Sequence, residues 1–255
     1  MTQPAQAAPV TRRQGGVAYR LERRVLAGVP CLLELPQESA PRALALVYHG
    51  VTAAKEGNAG VFTPLLDHGI ATVMPDSAGH GERRERGLSS EALGYRNFLR
   101  TCAAFTALEA PRVIDALQQD FPGVALGVIG ISMGGYTAHY LALREKRVRA
   151  AVVISSGGLW QEPEVTLPFA RAFIEEHRPV DHAAAAPPTA LALLHGEADP
   201  VFPMTDLEAT AEAYRGAYHQ AGLPQHLLVR SYPDVAHYTA TGMRDDAVAF
   251  LAHHL

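Results

Sequence analysis

The sequence predicts an α/β fold with a mostly parallel, doubly wound sheet. Short apolar runs recur along the chain, helical patterns separate them, and turn residues such as Gly, Pro and Asp follow most of the runs. Continuous apolar runs of about five residues are typical of strands buried on both faces, as in parallel sheets. Strands that alternate with helices favour a doubly wound arrangement.

The predicted strands begin with an antiparallel hairpin. Residues 17–26 and 29–35 flank Ala27-Gly28, which suits a two-residue turn, so this pair is expected to form an antiparallel edge. Six core strands are predicted at 43–48, 70–74, 125–129, 150–154, 190–194 and 227–232. Apolar residues at helical spacing predict helices at 99–119, 133–143, 207–220 and 243–251.

The chain is expected to form one domain over residues 16–255. Apolar residues make up 48% of the sequence, which is enough for a substantial core. Residues 1–15 are rich in Ala, Gln and Pro, and we predict that they are disordered. Residues 155–188 break the strand–helix rhythm, so we interpret them as a small cap insertion over the carboxyl edge of the sheet.

Composition argues against several classes of protein. The formal net charge is -4 and no basic patch stands out, so a nucleic-acid partner is not expected. No run of about 18 apolar residues predicts a membrane span, and the N-terminus has no apolar signal core. The two cysteines fit a reducing cytoplasm, and the 12 scattered histidines show no metal-binding pattern, so no metal is predicted.

The strongest chemical signal is Gly130-Ile131-Ser132-Met133-Gly134. It matches G-x-S-x-G, with a predicted buried strand before it and a helix after it. A strand-to-helix turn this tight needs glycine at the flanking positions and lifts the serine hydroxyl above the sheet. The sequence therefore predicts Ser132 as a nucleophile.

A serine nucleophile needs a base, and the base needs an acid that orients it. In this strand–turn–helix context the order along the chain is Ser, Asp or Glu, then His. Asp199 follows the strand at 190–194 and is the predicted acid, with Glu197 and Asp206 as rivals. His237 lies after the last strand and before the last helix, so it is the predicted base.

Two backbone N–H groups are predicted to stabilise an oxyanion. Met133 follows the nucleophile, and Val51 follows His49-Gly50 at the end of the first core strand. We expect the His49 ring itself to brace its loop.

These motifs resemble the α/β-hydrolase superfamily, and they are most similar to its small serine esterases related to prolyl oligopeptidase and dienelactone hydrolase. The resemblance runs from about residue 43 to the C-terminus. It implies a Ser132–His237–Asp199 triad, an oxyanion hole at Val51 and Met133, and no cofactor. It also implies that residues 76–84 form a structural loop beside the site, in which Asp76 and His80 fix the turn. Dienelactone hydrolases proper have cysteine where this chain has Ser132, so their exact activity is not implied.

The sequence and the resemblance together predict a cytoplasmic carboxylesterase that acts on a small ester, as a monomer or small homo-oligomer. A thioesterase, amidase or small peptidase would use the same triad, and a non-catalytic binding protein on the same fold is the alternative of another class. Trp160, Phe169 and Phe173 are candidates for an apolar substrate pocket. A role for Arg83, Arg84 and Arg86 in binding an acidic substrate group stays open.

Overall fold

The computed structural model describes residues 10–14 and 17–255. In this part of the chain one sheet runs in the order β1-β2-β3-β5-β4-β6-β7-β8-β9. The strands are β1 Val10–Gln14, β2 Val17–Leu26, β3 Val29–Pro36, β4 Ala43–Tyr48, β5 Ile70–Pro75, β6 Ala125–Ile131, β7 Val148–Ile154, β8 Ala190–Gly196 and β9 Leu227–Tyr232. Strands β1, β2, β3 and β5 pair antiparallel, and β5, β4, β6, β7, β8 and β9 pair parallel. The predicted fold class is confirmed.

Helices cover both faces of this sheet. They are α1 Ser90–Leu93, α2 Tyr95–Asp120, α3 Met133–Arg144, α4 Pro168–Glu176, α5 Met204–Gln220 and α6 Thr241–His254. Side chains of α2, α3 and α5 share one hydrophobic cluster with the sheet, and those of α6 share the cluster on the other face. Within β4, Leu44 and Leu46 belong to the first cluster whereas Ala45 and Val47 belong to the second. Alternate side chains of a strand point to opposite faces, so a strand covered on both faces is apolar throughout.

The N-terminal segment differs from its prediction. Val10–Gln14 forms β1 and pairs antiparallel with β2, so the predicted disorder of residues 1–15 is wrong for these five. Backbone hydrogen bonds to the edge strand β2 hold the segment. Such pairing does not require alternating apolar residues, so the sequence shows no strand pattern here. Residues 1–9 and 15–16 lie outside the described residues.

The cap insertion contains α4 and two short 3-10 turns, Pro179–Asp181 and Ala183–Ala185. Helix α4 packs beside α2 and buries Phe173 and Ile174. The bounds of the cap at 155–188 and of the domain at 16–255 stay predictions. Over residues 10–14 and 17–255, no helix combines the length and apolar character that crossing a bilayer requires.

Candidate active site

Four loops that carry the predicted catalytic and oxyanion-binding residues meet at one edge of the sheet. Ser132 follows β6, Asp199 follows β8, His237 follows β9 and Val51 follows β4. These strands are parallel, so their carboxyl ends face the same side, which is where open α/β sheets place their sites.

The turn at Ser132 is tight and strained. Ser132 has φ 52° and ψ -113°, a conformation that side-chain-bearing residues rarely adopt. A Cβ at Gly130 would lie 2.2 Å from the Gly134 carbonyl oxygen, and a Cβ at Gly134 would lie 2.2 Å from the Tyr48 carbonyl oxygen. Backbone approaches backbone here, so both flanking positions require glycine.

The structure brings Ser132, His237 and Asp199 together. The Ser132 Oγ lies 2.8 Å from His237 Nε2, and His237 Nδ1 lies 2.8 Å from Asp199 Oδ2. A neutral imidazole can donate its Nδ1–H to the carboxylate while Nε2 accepts from the serine hydroxyl. This arrangement can move a proton from the hydroxyl to the ring, which is the step that activates an alcohol as a nucleophile.

The Asp199 carboxylate is fully enclosed and fully bonded. Its side chain has no exposed surface, and Oδ1 accepts from the backbone N–H groups of Val201 at 2.8 Å and Phe202 at 3.1 Å. Three donors therefore surround a buried charge that would otherwise be costly. The carboxylate can hold the imidazole in one tautomer and stabilise the imidazolium.

The two rival carboxylates are engaged elsewhere. Glu197 accepts from the Ser231 hydroxyl at 2.7 Å. Asp206 lies in the first turn of α5 and accepts from the Leu159 N–H at 3.2 Å. Neither contacts His237, so geometry favours Asp199 as the acid.

The loop after β4 lies directly beside the serine. A Cβ at Gly50 would lie 3.6 Å from the Ser132 Cβ. Met133 is the first residue of α3, so its N–H has no partner within the helix. The N–H groups of Val51 and Met133 can therefore face an oxygen that develops negative charge near Ser132, although their role stays a prediction.

Two buried histidines brace this loop. His80 Nε2 lies 2.7 Å from the Val51 carbonyl oxygen and Nδ1 lies 2.8 Å from the Ala78 carbonyl oxygen. His49 Nε2 accepts from the Ser77 N–H at 3.1 Å. Burial lowers the pKa of His49 to about 4, so its ring is neutral near pH 7 and can act as that acceptor.

A buried ion pair lies behind the same loop. Lys55 Nζ is 2.7 Å from Asp76 Oδ2, and the Asp76 carboxylate also accepts from the N–H groups of Lys55 and Glu82. Burial works against both charges, but their mutual hydrogen bonds outweigh it. The Lys55 pKa is raised and the Asp76 pKa is lowered. Asp76 thus ties together the residues that position the oxyanion loop.

The three arginines at 83, 84 and 86 lie in two different environments. Arg83 donates to the Asp76 carbonyl oxygen at 3.0 Å and to both carboxylate oxygens of Glu109, so it belongs to the structural loop. Arg84 and Arg86 line a neighbouring depression that does not include Ser132.

A cavity of about 650 Å³ contains Ser132, His237 and Val51 in its wall. The predicted pocket residues Trp160, Phe169 and Phe173 do not line it, so that prediction is wrong. Trp160 and Phe173 are buried in the cluster beneath the cap, where the Trp160 ring stacks on Tyr136 at 4.6 Å between centroids. Phe169 lies on the outer surface, because α4 turns it away from the site and against Phe105.

Sequence reasoning missed several polar residues of this cavity, and Arg100 is the most buried charged one among them. Arg100 of α2 lines the wall and its side chain is only 3% exposed. A signal was present, because Arg100 lies between Leu99 and Cys102 on the buried face of the helix. A charged residue on such a face is rarely buried without a specific partner or role.

Together, the sheet topology and the strand–turn–helix at Ser132 define the class of this protein as an α/β-hydrolase. Comparison with known proteins refines that class. The family model described as serine aminopeptidase, S33, matches residues 39–180, which is more than half of the chain. The chain belongs to this family.

One curated relative carries an esterase name, and one solved structure is similar over most of its length. YitV of Bacillus subtilis (strain 168), named as an esterase, is 31% identical over 126 residues, which cover 46% of this chain and 47% of YitV. The match thus spans about half of that curated relative. The crystal structure of TT1662 from Thermus thermophilus has a TM-score of 0.79 at 27% identity and covers 92% of this chain and 97% of TT1662.

A further similar structure is a cold-adapted esterase from an Arctic intertidal metagenomic library. It has a TM-score of 0.67 at 21% identity, with 96% of this chain and 97% of the esterase covered. At that identity the likeness concerns the fold alone. The predicted superfamily is confirmed by the family match.

Proposed function

We propose that this chain is a serine hydrolase that cleaves a small carboxylic ester through an acyl-enzyme. The observation that carries the proposal is the unbroken hydrogen-bonded chain from Asp199 through His237 to Ser132, with 2.8 Å at each step. A strained serine within hydrogen-bond reach of a base, and a base within reach of a buried acid, are the parts that nucleophilic acyl transfer needs.

The reaction follows from these positions. His237 Nε2 takes the Ser132 proton as Oγ attacks the ester carbonyl carbon, and the N–H groups of Val51 and Met133 bind the resulting oxyanion. The bond to the alcohol oxygen breaks as His237 returns the proton to that oxygen. A water molecule, deprotonated by His237, then attacks the acyl carbon. The bond from that carbon to Ser132 Oγ breaks, His237 returns the proton to Oγ, and the acid is released. None of these steps draws on a metal or an organic cofactor.

A small peptidase or amidase is the second candidate, and the description of the family as serine aminopeptidases favours it. The esterase name of YitV favours the ester. A thioesterase would use the same groups, since specificity lies in the shape of the cavity. A non-catalytic binding role is disfavoured by a complete set of three correctly spaced side chains. The cytoplasmic location and the monomeric or small homo-oligomeric state stay predictions.

Replacement of Ser132 tests the proposal. Wild-type protein should hydrolyse short p-nitrophenyl esters and should be labelled at Ser132 by a fluorophosphonate probe, because both reactions need an activated hydroxyl. S132A should lose both, whereas S231A, which removes a hydroxyl that donates to Glu197 and lies outside the cavity wall, should retain them. Matching circular dichroism spectra would establish that S132A is folded. Turnover that survives in S132A would refute the assignment.

A further inference from the structure

Two guanidinium groups line the cavity at Ser132. Arg96 and Arg100 are four residues apart on α2, so they lie on one face of the helix, and both contribute to the wall that contains Ser132 and His237. Among the described residues that line this cavity, none is Asp or Glu. The wall therefore offers positive charge without an opposing charge inside the cavity.

Arg100 is held rigidly. Its Nε donates to Glu162 of the cap, and the Tyr136 hydroxyl donates to the same carboxylate at 2.5 Å. The guanidinium carbon lies 3.9 Å from the centre of the Tyr136 ring, which adds a cation–π contact. Glu162 and Tyr136 lie outside the cavity wall, so they orient Arg100 without occupying the cavity.

Most of the donors on Arg100 are unused. A guanidinium has five N–H groups, and only the Nε–H has a protein acceptor among the described residues. The Nη1 atom is buried and unpartnered, as is Nδ2 of Asn58, another cavity-lining residue. Unpaired buried donors are uncommon in folded proteins, and here the two belong to one cavity wall.

We propose that the ester cleaved at Ser132 carries a second, free carboxylate that Arg100 binds, with Arg96 adding positive charge at the same wall. The inference rests on the proposed serine hydrolase activity and names its substrate class. A planar guanidinium whose orientation is fixed is suited to a carboxylate, which can accept two N–H groups at once. Such substrates are half-esters of dicarboxylic acids or esters of hydroxy acids.

Two matched pairs of substrates test the proposal. The acyl-side pair is the p-nitrophenyl monoester of glutaric acid and its neutral terminal amide. The alcohol-side pair is 4-acetoxybenzoate and 4-acetoxybenzamide. Each pair differs by one charge at nearly constant shape. Wild-type kcat/KM should favour the carboxylate by roughly tenfold or more in at least one pair, because charge-assisted hydrogen bonds exceed neutral ones.

R100Q should bring that carboxylate-to-amide ratio close to one. R112Q changes an exposed arginine farther along α2 and outside the cavity wall, so it should keep the wild-type ratio. A ratio near one in wild type for both pairs, or a wild-type ratio that is unchanged in R100Q, would overturn the proposal. The ratio is informative because a purely structural defect lowers both members of a pair together.

Should R100Q not fold, inhibition of wild-type hydrolysis of a neutral ester decides the question. Glutarate should inhibit at least about tenfold more strongly than the neutral diamide of glutaric acid, and equal inhibition would overturn the proposal. Failure of the two proposals is distinguishable. Neutral esters hydrolysed without any carboxylate preference refute only the carboxylate site. No hydrolysis and no fluorophosphonate labelling refute the serine hydrolase itself.

Discussion

The buried ion pair behind the oxyanion loop provides the sharpest stability prediction. The Lys55 side chain is 1% exposed and the Asp76 side chain has no exposed surface. K55M keeps the length of the side chain but removes its charge, so the Asp76 carboxylate stays buried with only backbone donors. We expect a large loss of stability.

The magnitude follows from the burial. Removing one partner of a buried pair costs about 3–5 kcal/mol, whereas an exposed pair contributes about 0–1 kcal/mol. For a chain of this size 1 kcal/mol corresponds to about 2–4 °C in Tm, so K55M should lower Tm by about 6–20 °C. R171M, which breaks the exposed pair of Arg171 with Glu175, should change Tm by less than about 4 °C.

Thermal unfolding followed by circular dichroism measures both changes. The double variant K55M/D76N leaves no unpaired buried charge, because the other two carboxylates at Lys55, those of Glu56 and Glu82, are exposed to solvent, so it should recover part of the Tm that K55M loses. Hydrolysis of a p-nitrophenyl ester by K55M, measured below its Tm, should also be slower, because Asp76 anchors the loop of His80 and Val51. A K55M Tm no lower than that of R171M would refute the reasoning.

Two further predictions concern the acid Asp199 and the buried histidine His139. D199N should lower kcat by on the order of 10⁴, because an amide does not hold the His237 tautomer, while E197Q in the same loop should stay close to wild type in a p-nitrophenyl ester assay. Burial lowers the pKa of His139 to about 3, well below its ordinary 6.5. The unfolded chain therefore binds the extra proton first as pH falls below 6.5, and stability is lost from there down to the folded-state pKa. Between pH 7 and pH 4.5 this ring should contribute a loss on the order of 2 kcal/mol. H139F should show a smaller drop in Tm over that range than wild type, whereas Y214F, which keeps the imidazole, should show the wild-type drop; equal drops in wild type and H139F would contradict the assignment.

Much of the fold was predictable because local patterns carry it. The strands β4 and β9 begin and end at the predicted residues, since their runs are bounded by turn residues on both sides. Helix α2 begins at Tyr95, four residues before its predicted start at 99, and its first two residues, Tyr95 and Arg96, are exposed. Strand β1 was not predicted, because an edge strand is held by backbone hydrogen bonds, which leave no side-chain pattern in the sequence.

The candidate site was also predictable only in part. Ser132, Asp199 and His237 were identifiable because each follows a strand at the carboxyl edge, where order along the chain specifies position in space. The cavity wall was not identifiable from sequence. Whether Trp160 or Arg100 faces Ser132 depends on how the cap packs on α2 and α3, which no local pattern encodes.

The two oxygens of Asp199 have separate tasks. One is fixed by amides of the segment that carries the aspartate, so the aim of the other is set within a single short stretch of chain. The same stretch is tied to the segment that carries the histidine, because the N–H groups of Glu197 and Ala198 donate to the carbonyl oxygens of Tyr232 and Val235 at 3.0 Å each. The backbone therefore fixes both the acceptor oxygen and the point from which the His237 side chain extends, so rotation of that side chain alone would break or restore the contact.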